Sequence, residues 1–172
     1  MIRECDVPAG SALGRDAIGR AYYRDSWQAP LTRPDRDIVE IYTAIFAHAP
    51  LSMKLLMIVR NAVVRPFGLK APPARETLRG SFKAGRTAGE TIGRWPIHFA
   101  SADEIIAGFD DKHQDFRVSV FALRQGETAS VVLTTICTVH NFFGKAYLFF
   151  ILPYHRYGVR KMLANAVAAG RL

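Results

Sequence analysis

The sequence predicts an α+β fold: an antiparallel sheet, two short helices after the first strand, and a long C-terminal helix lying on the sheet. Two observations carry this. Three runs with strand-like alternation, Glu104–Phe109, Asp115–Leu123 and Ala129–His140, are separated by turn-sized polar gaps, Asp110-Asp111-Lys112-His113 and Gln125-Gly126-Glu127-Thr128. From Phe142 the alternation gives way to crowded large apolar residues through Leu163, with basic residues toward the end. A sheet closed by such a helix tends to enclose a cavity. That points to binding without naming a substrate.

Taken in chain order, Met1–Gly19 carries three glycines, one proline and mixed charge, and is expected to be an extended, partly disordered lead-in. Residues 20–172 then form a single domain, with no break in composition to mark a second one. Arg20–Ala29, with Tyr22, Tyr23 and Trp27, reads as the first strand. Pro34-Asp35 opens a helix whose Ile38, Ile41, Tyr42, Ile45 and Phe46 share one face. Ser52 can cap a second helix through about Val64, with Leu55, Leu56, Val59 and Val63 as its apolar stripe and Pro66-Phe67-Gly68 as its stop. Ala71–Gly93 is the least legible part; Leu78–Lys83 and Glu90–Ile97 are its strand candidates.

The hairpin over 115–140 permits a sharper expectation. If Arg124 pairs with Ala129, then Phe116, Val118, Val120 and Ala122 share a dry face with Val131, Leu133, Thr135, Val139 and Cys137. The other face is mixed and carries Asp115, Arg117, Ser119 and Phe121. Asn141 is placed to cap a helix from Phe142 to about Ala168. Pro153 lacks an N–H and should kink or break that helix, with the part before it nearly fully buried.

Composition narrows the function classes. Hydrophobic residues make up 49% and charged residues 22% of the 172, as in an ordinary globular domain. The longest apolar run is Ala146–Leu152, too short for a membrane-spanning helix, which needs about 20 residues. The first residues lack a signal peptide's apolar core. Cys5 and Cys137 are too far apart in character to suggest a disulfide, so a cytoplasmic location is expected. The net charge is +8. Its Lys and Arg residues are dispersed and no zinc-finger, KH or RRM signature is present, so nucleic acid is not an expected partner. Weak contact with an anionic membrane surface remains open on charge grounds.

Several stretches are distinctive together: Arg60-Asn61; Pro66-Phe67-Gly68-Leu69-Lys70; Gly108-Phe109-Asp110-Asp111-Lys112-His113-Gln114-Asp115-Phe116-Arg117-Val118-Ser119; Thr138-Val139-His140-Asn141; Gly144-Lys145-Ala146-Tyr147-Leu148; and Pro153-Tyr154-His155-Arg156. From about Ala21 to Ala166 the chain resembles the bacterial family catalogued as domain of unknown function 2867. It departs from that pattern where Leu51-Ser52-Met53 stands in place of an expected Trp. The family in turn resembles the helix-grip group, which includes START lipid-transfer domains and polyketide cyclases. The resemblance implies a strand, two short helices, an antiparallel sheet and a long helix across it. Relatives occur fused to an NAD(P)-binding domain, but this chain has no GxGxxG after a strand, and no cofactor is implied.

The expected function is binding of a small apolar or amphipathic molecule between sheet and C-terminal helix, with Trp95, His98, Arg117, His140, Tyr147 and Ile151 as the lining. Arg117 could meet an acidic ligand group or simply pair with a neighbouring Asp. His140 could border a pocket or tie the strand end to the helix start. A cyclase- or hydrolase-type enzyme in the same cavity is the alternative, with His98, Arg117 and His140 as its polar groups. A third reading is an interaction module or homodimer built on the aromatic C-terminal helix. Asp110, Asp111, His113 and Asp115 are close in sequence, but a hairpin turn accounts for them better than a metal site does, and HExxH is absent.

Overall fold

The computed structural model describes residues 1–65, 74–79, 82–125 and 128–172. The chain order is β1 (Arg3–Glu4), α1 (Arg15–Arg20), β2 (Tyr23–Pro30), α2 (Ile38–Phe46), α3 (Leu51–Val64), α4 (Ala74–Arg79), β3 (Lys83–Ala84), β4 (Thr91–Gly93), β5 (Trp95–Ala100), β6 (Glu104–Asp110), β7 (Gln114–Gln125), β8 (Thr128–Val139) and α5 (Phe142–Ala168). The strands form one antiparallel sheet in the order β1-β2-β8-β7-β6-β5-β4-β3. The α+β expectation holds, as do the three central strands. Of the strand candidates between Ala71 and Gly93, Leu78 lies at the end of helix α4 instead. The stop at Pro66-Phe67-Gly68 and the turn residues Gly126 and Glu127 lie outside the described residues.

The β7–β8 register is the expected one: Arg124 pairs with Ala129, and Phe116 with Cys137. β2 continues the same rows, placing Trp27 opposite Leu133 and Ser26 opposite Thr134. Because side chains alternate with period two, this assigns each residue to a face. Trp27, Ala29, Val118, Val120, Ala122, Val131 and Leu133 build the main core with Ile38, Ile41, Tyr42 and Ile45 of α2 and with Val159, Leu163 and Ala166 of α5. Burying each of the large α2 side chains stabilises the fold by roughly 2 kcal/mol. Helix α2 begins with a full capping box, in which the Asp37 side chain accepts from Glu40 N and the Glu40 carboxylate from Asp37 N.

The mixed face of the sheet is covered by the N-terminal segment, which was expected to be an extended lead-in. Leu13 joins Ile106 and Ile136 in a second small core, with Val7, Ala17 and Ile18 beside it. The anchor is Glu104, only 1% exposed. Its carboxylate accepts from Ser11 Oγ at 2.5 Å, from Ala12 N at 2.6 Å and from Ser119 Oγ. A buried carboxylate holding three donors is stable where an unpaired one is not. This is what composition alone missed: a small-residue segment can be ordered by one buried acceptor.

Helix α5 starts as expected. Asn141 Oδ1 accepts from Gly144 N at 3.1 Å, while Asn141 Nδ2 donates to Lys112 O at 3.0 Å, tying the helix start to the β6–β7 turn. The helix runs unbroken through Pro153. The part before Pro153 is not nearly fully buried: Gly144 and Leu148 are covered, but most of its phenylalanines face out. Before Pro153, Phe142, Phe149 and Phe150 are 84%, 74% and 72% exposed; after it, Val159, Leu163 and Ala166 are buried. The first turns carry apolar residues all round, and only the arc facing the sheet can be covered. The stripe expected on α3 is corrected in the same way, since Leu55 and Val59 point to solvent; the Val63 side chain lies outside the described residues. No single helix is long and apolar enough to cross a membrane among the described residues.

Two substitutions test this arrangement. A Cβ on Gly108 would stand 1.9 Å from Phe116 O, so Gly108→Ala must force β6 from β7. It is expected to lower stability by about 2 kcal/mol or more in urea unfolding; a loss below about 0.5 kcal/mol would contradict the pairing. Glu104→Ala should strip three donors of their acceptor and release the N-terminal segment, seen as fast amide exchange over residues 5–21 while β7 and β8 stay protected.

Candidate functional site

Residues at alternate positions of β2 reach the helix-facing side: Tyr23, Asp25, Trp27 and Ala29. Three of these are apolar or aromatic. Asp25 is not, yet it is 5% exposed. Tyr23 OH and Trp27 Nε1 each donate to its Oδ2 at 2.9 Å. His155, two residues beyond Pro153 on α5, brings Nε2 to 3.5 Å from Oδ1. The Tyr23 ring meets the imidazole edge-on, with centroids 5.9 Å apart. Thr135 is opposite Asp25 on β8 and Cys137 opposite Tyr23. The Trp27 ring is overlaid by the guanidinium groups of Arg156 and Arg160, at 5.9 and 5.1 Å from its centroid.

The polar supply of this cluster is incomplete. Asp25 Oδ1, His155 Nε2 and Thr135 Oγ1 are buried without a hydrogen bond among the described residues, Oδ1 and Nε2 facing each other at 3.5 Å. Burial pushes the Asp25 carboxyl up. The His155 imidazole 3.5 Å away, with the hydrogen bonds donated by Trp27 and Tyr23, outweighs that and holds it below the usual carboxylate range. Burial first, and the Asp25 charge second, raise the Tyr23 phenol, so it remains a donor. Burial pushes the Cys137 thiol up to about 12, which makes it a poor nucleophile. Chemically, the cluster offers a fixed carboxylate, an imidazole oriented by it, and a spare hydroxyl.

Helix α3 lies beside α5 next to this cluster. The Met53 methyl sits against Gly158, where an added Cβ would come within 2.5 Å of it. Arg60 donates to Tyr147 OH at 2.9 Å and stacks on the same ring. Burial raises the Tyr147 phenol, and the Arg60 guanidinium opposes that.

The six residues expected to line a site fall into two groups. Trp95, Tyr147 and Ile151 are on the helix side; Trp95 packs on Phe46 and Phe116, and Ile151 is half-buried on α5. Arg117 is on the opposite face, where it pairs with Asp110 at 2.6 Å and donates to the carbonyls of Phe109 and Phe116. His140 stands near it, with Nε2 3.0 Å from Asp115 Oδ1. His98 is exposed on β5. The expected pocket between α5 and the mixed face is therefore corrected: α5 packs on the dry face. Asp111 Oδ1 accepts from His113 N at 3.3 Å, as in a turn. Among the described residues no three His, Cys, Asp or Glu side chains gather closely enough to hold a metal ion.

The best-formed concavities of the described residues are shallow and lie elsewhere. One of about 250 Å³ is at the β1–β2–β8 edge, beside Arg3 and Gln28. Another of about 390 Å³ lies between α2, β3 and the C-terminus, beside Arg36, His48 and Arg171.

Asp25 and His155 were missed by sequence reasoning. The available signal was that Asp25 is in phase with Tyr23 and Trp27, which places a carboxylate on a dry face.

Fold and cluster define an α+β protein whose long C-terminal helix meets a buried carboxylate on the first long strand. The chain belongs to a family described as protein of unknown function (DUF2867), whose model it matches over residues 17–162. No curated protein matches it, and no solved structure does.

The depressed Asp25 carboxyl predicts a pH dependence. A group whose folded-state pKa lies below its unfolded value contributes stability above about pH 4, and that stability is lost as pH falls through the folded value. Asp25→Asn should therefore flatten the fall of the urea midpoint below about pH 4 and cost roughly 1–3 kcal/mol at pH 7, because Tyr23 and Trp27 lose a charged acceptor. A variant that retains the wild-type acid profile would show that Asp25 titrates no differently when folded.

Proposed function

We propose that the protein binds a small amphipathic molecule on the helix-facing side of the sheet, beneath the first half of α5. Asp25, His155 and Thr135 form its polar anchor. The observation that carries this is the buried polar cluster with unused hydrogen-bonding capacity on an otherwise apolar face. The Asp25–His155 pair and the Thr135 hydroxyl beside it suit a hydroxyl or amino group on the ligand. The apolar remainder would lie along Tyr147 and Ile151, reaching toward Trp95 on the sheet. The His155 side chain is 21% exposed, which gives the cluster a route to solvent. The helix-grip assignment belongs to this reading: two helices after the first long strand and a long last helix follow that group's order. So does a cytoplasmic location, which two free cysteines support.

The Asp25–His155 pair favours one further reading, an enzyme of cyclase or hydrolase type. There the carboxylate would orient the imidazole, and His155 would move a proton to or from the bound molecule.

Native mass spectrometry of the purified full chain separates these outcomes. Binding predicts an added mass on the 19.2 kDa chain that is lost on denaturation and is depleted in Asp25→Asn. A bare chain, with nothing extractable into organic solvent, would overturn the ligand reading. Turnover of a panel of small esters, abolished in His155→Ala, would establish the enzyme.

A further inference from the structure

The outer side of α5 bears an apolar and aromatic surface far larger than an isolated exposed side chain. Phe142, Phe149, Phe150, Tyr154 and Tyr157 are 84%, 74%, 72%, 53% and 57% exposed. At 100° per residue they fall on two adjoining rows of the helix, Phe142–Phe149 and Phe150–Tyr154–Tyr157. Soluble surfaces rarely leave such a patch uncovered.

Charge says what covers it. The row of Phe142 and Phe149 continues into Arg160, and that of Phe150 and Tyr157 into Lys161. Lys145 flanks the Phe142–Phe149 row on the side away from Phe150, its Nζ 5.8 Å from the Tyr22 ring. Arg156 is held by Glu4 at 3.1 Å. No Asp or Glu occurs in α3 or anywhere from His140 to Leu172, in a chain of net charge +8. A second copy of the chain would bring the same cations against these, which disfavours a dimer through this face.

We infer that this face of α5 docks on an anionic lipid surface, with Phe149 and Phe150 inserted at the headgroup boundary and Lys145 and Lys161, at its two edges, on the anionic headgroups. Aromatic rings favour that boundary, and a helix with apolar rows edged by cations binds it through both terms at once. The docking face is the outside of α5 and does not depend on a ligand beneath the helix.

The test is flotation of the full chain with vesicles of phosphatidylcholine alone and of phosphatidylcholine mixed equally with phosphatidylglycerol. Binding is expected to the mixed vesicles at low ionic strength, to weaken with salt, and to be absent from the neutral ones. The double change Phe149→Ser with Phe150→Ser should weaken it by at least about tenfold. Lys161→Glu should weaken it by about fivefold or more. Because these side chains are exposed, urea midpoints should be unchanged, which separates lost docking from lost folding. Three results would overturn the inference: no binding to the mixed vesicles; full binding by the Phe149/Phe150 variant; or a dimer in sedimentation that this variant dissolves. Stronger retention on immobilised polyglutamate than on vesicles, indifferent to the two Phe changes, would likewise overturn it in favour of an acidic protein.

Discussion

Antiparallel pairing of β2 with β8 is the constraint on which the rest of the molecule depends. It joins the first long strand to the last one, and its register places Tyr23, Asp25, Trp27 and Ala29 in phase with Cys137, Thr135, Leu133 and Val131. A slip of one residue would send Ser26 into the core and Trp27 to the other face. The same pairing gives α5 its seat, because Trp27 and Ala29 pack with Val159, Leu163 and Ala166. It also brings Asp25 under His155. Fold and candidate site are therefore two results of one strand register.

Each face of the sheet solves a polar problem differently. On the mixed face Glu104 is fully supplied, by two side-chain hydroxyls and a backbone N–H, and its job is to hold the N-terminal segment. On the helix face Asp25 is supplied on one oxygen only, and its neighbours Thr135 and His155 are left with buried polar atoms. Fully satisfied networks rigidify a fold, whereas an incompletely supplied buried polar group calls for an explanation of its own. That contrast within one sheet separates a structural carboxylate from a functional candidate.

Local chemistry was legible in the sequence and tertiary partnership was not. The hairpin register, the α2 face and the Asn141 cap follow from period, turn length and residue type over a few neighbours. The α3 stripe and the first half of α5 were misread, because an apolar row announces a contact without saying whether the contact lies within the chain. Of the expected site residues, Trp95, Tyr147 and Ile151 came to the helix side because aromatic and aliphatic side chains follow burial. Arg117 instead found Asp110 across the short β6–β7 turn, and His140 found Asp115 on the neighbouring strand. His155 carried no local signal, since its partner on β2 is distant in the chain.

The β2–β8 pairing has a consequence for how the protein is made. During synthesis β2 emerges early, and its partner strand follows roughly 100 residues later. At ribosomal rates that delay is on the order of 5–20 s. Throughout it, β2 presents an open edge and Ile38, Ile41 and Ile45 lack the sheet that covers them. The nascent chain thus passes through a window in which strand and helix surfaces that end up buried are still adhesive.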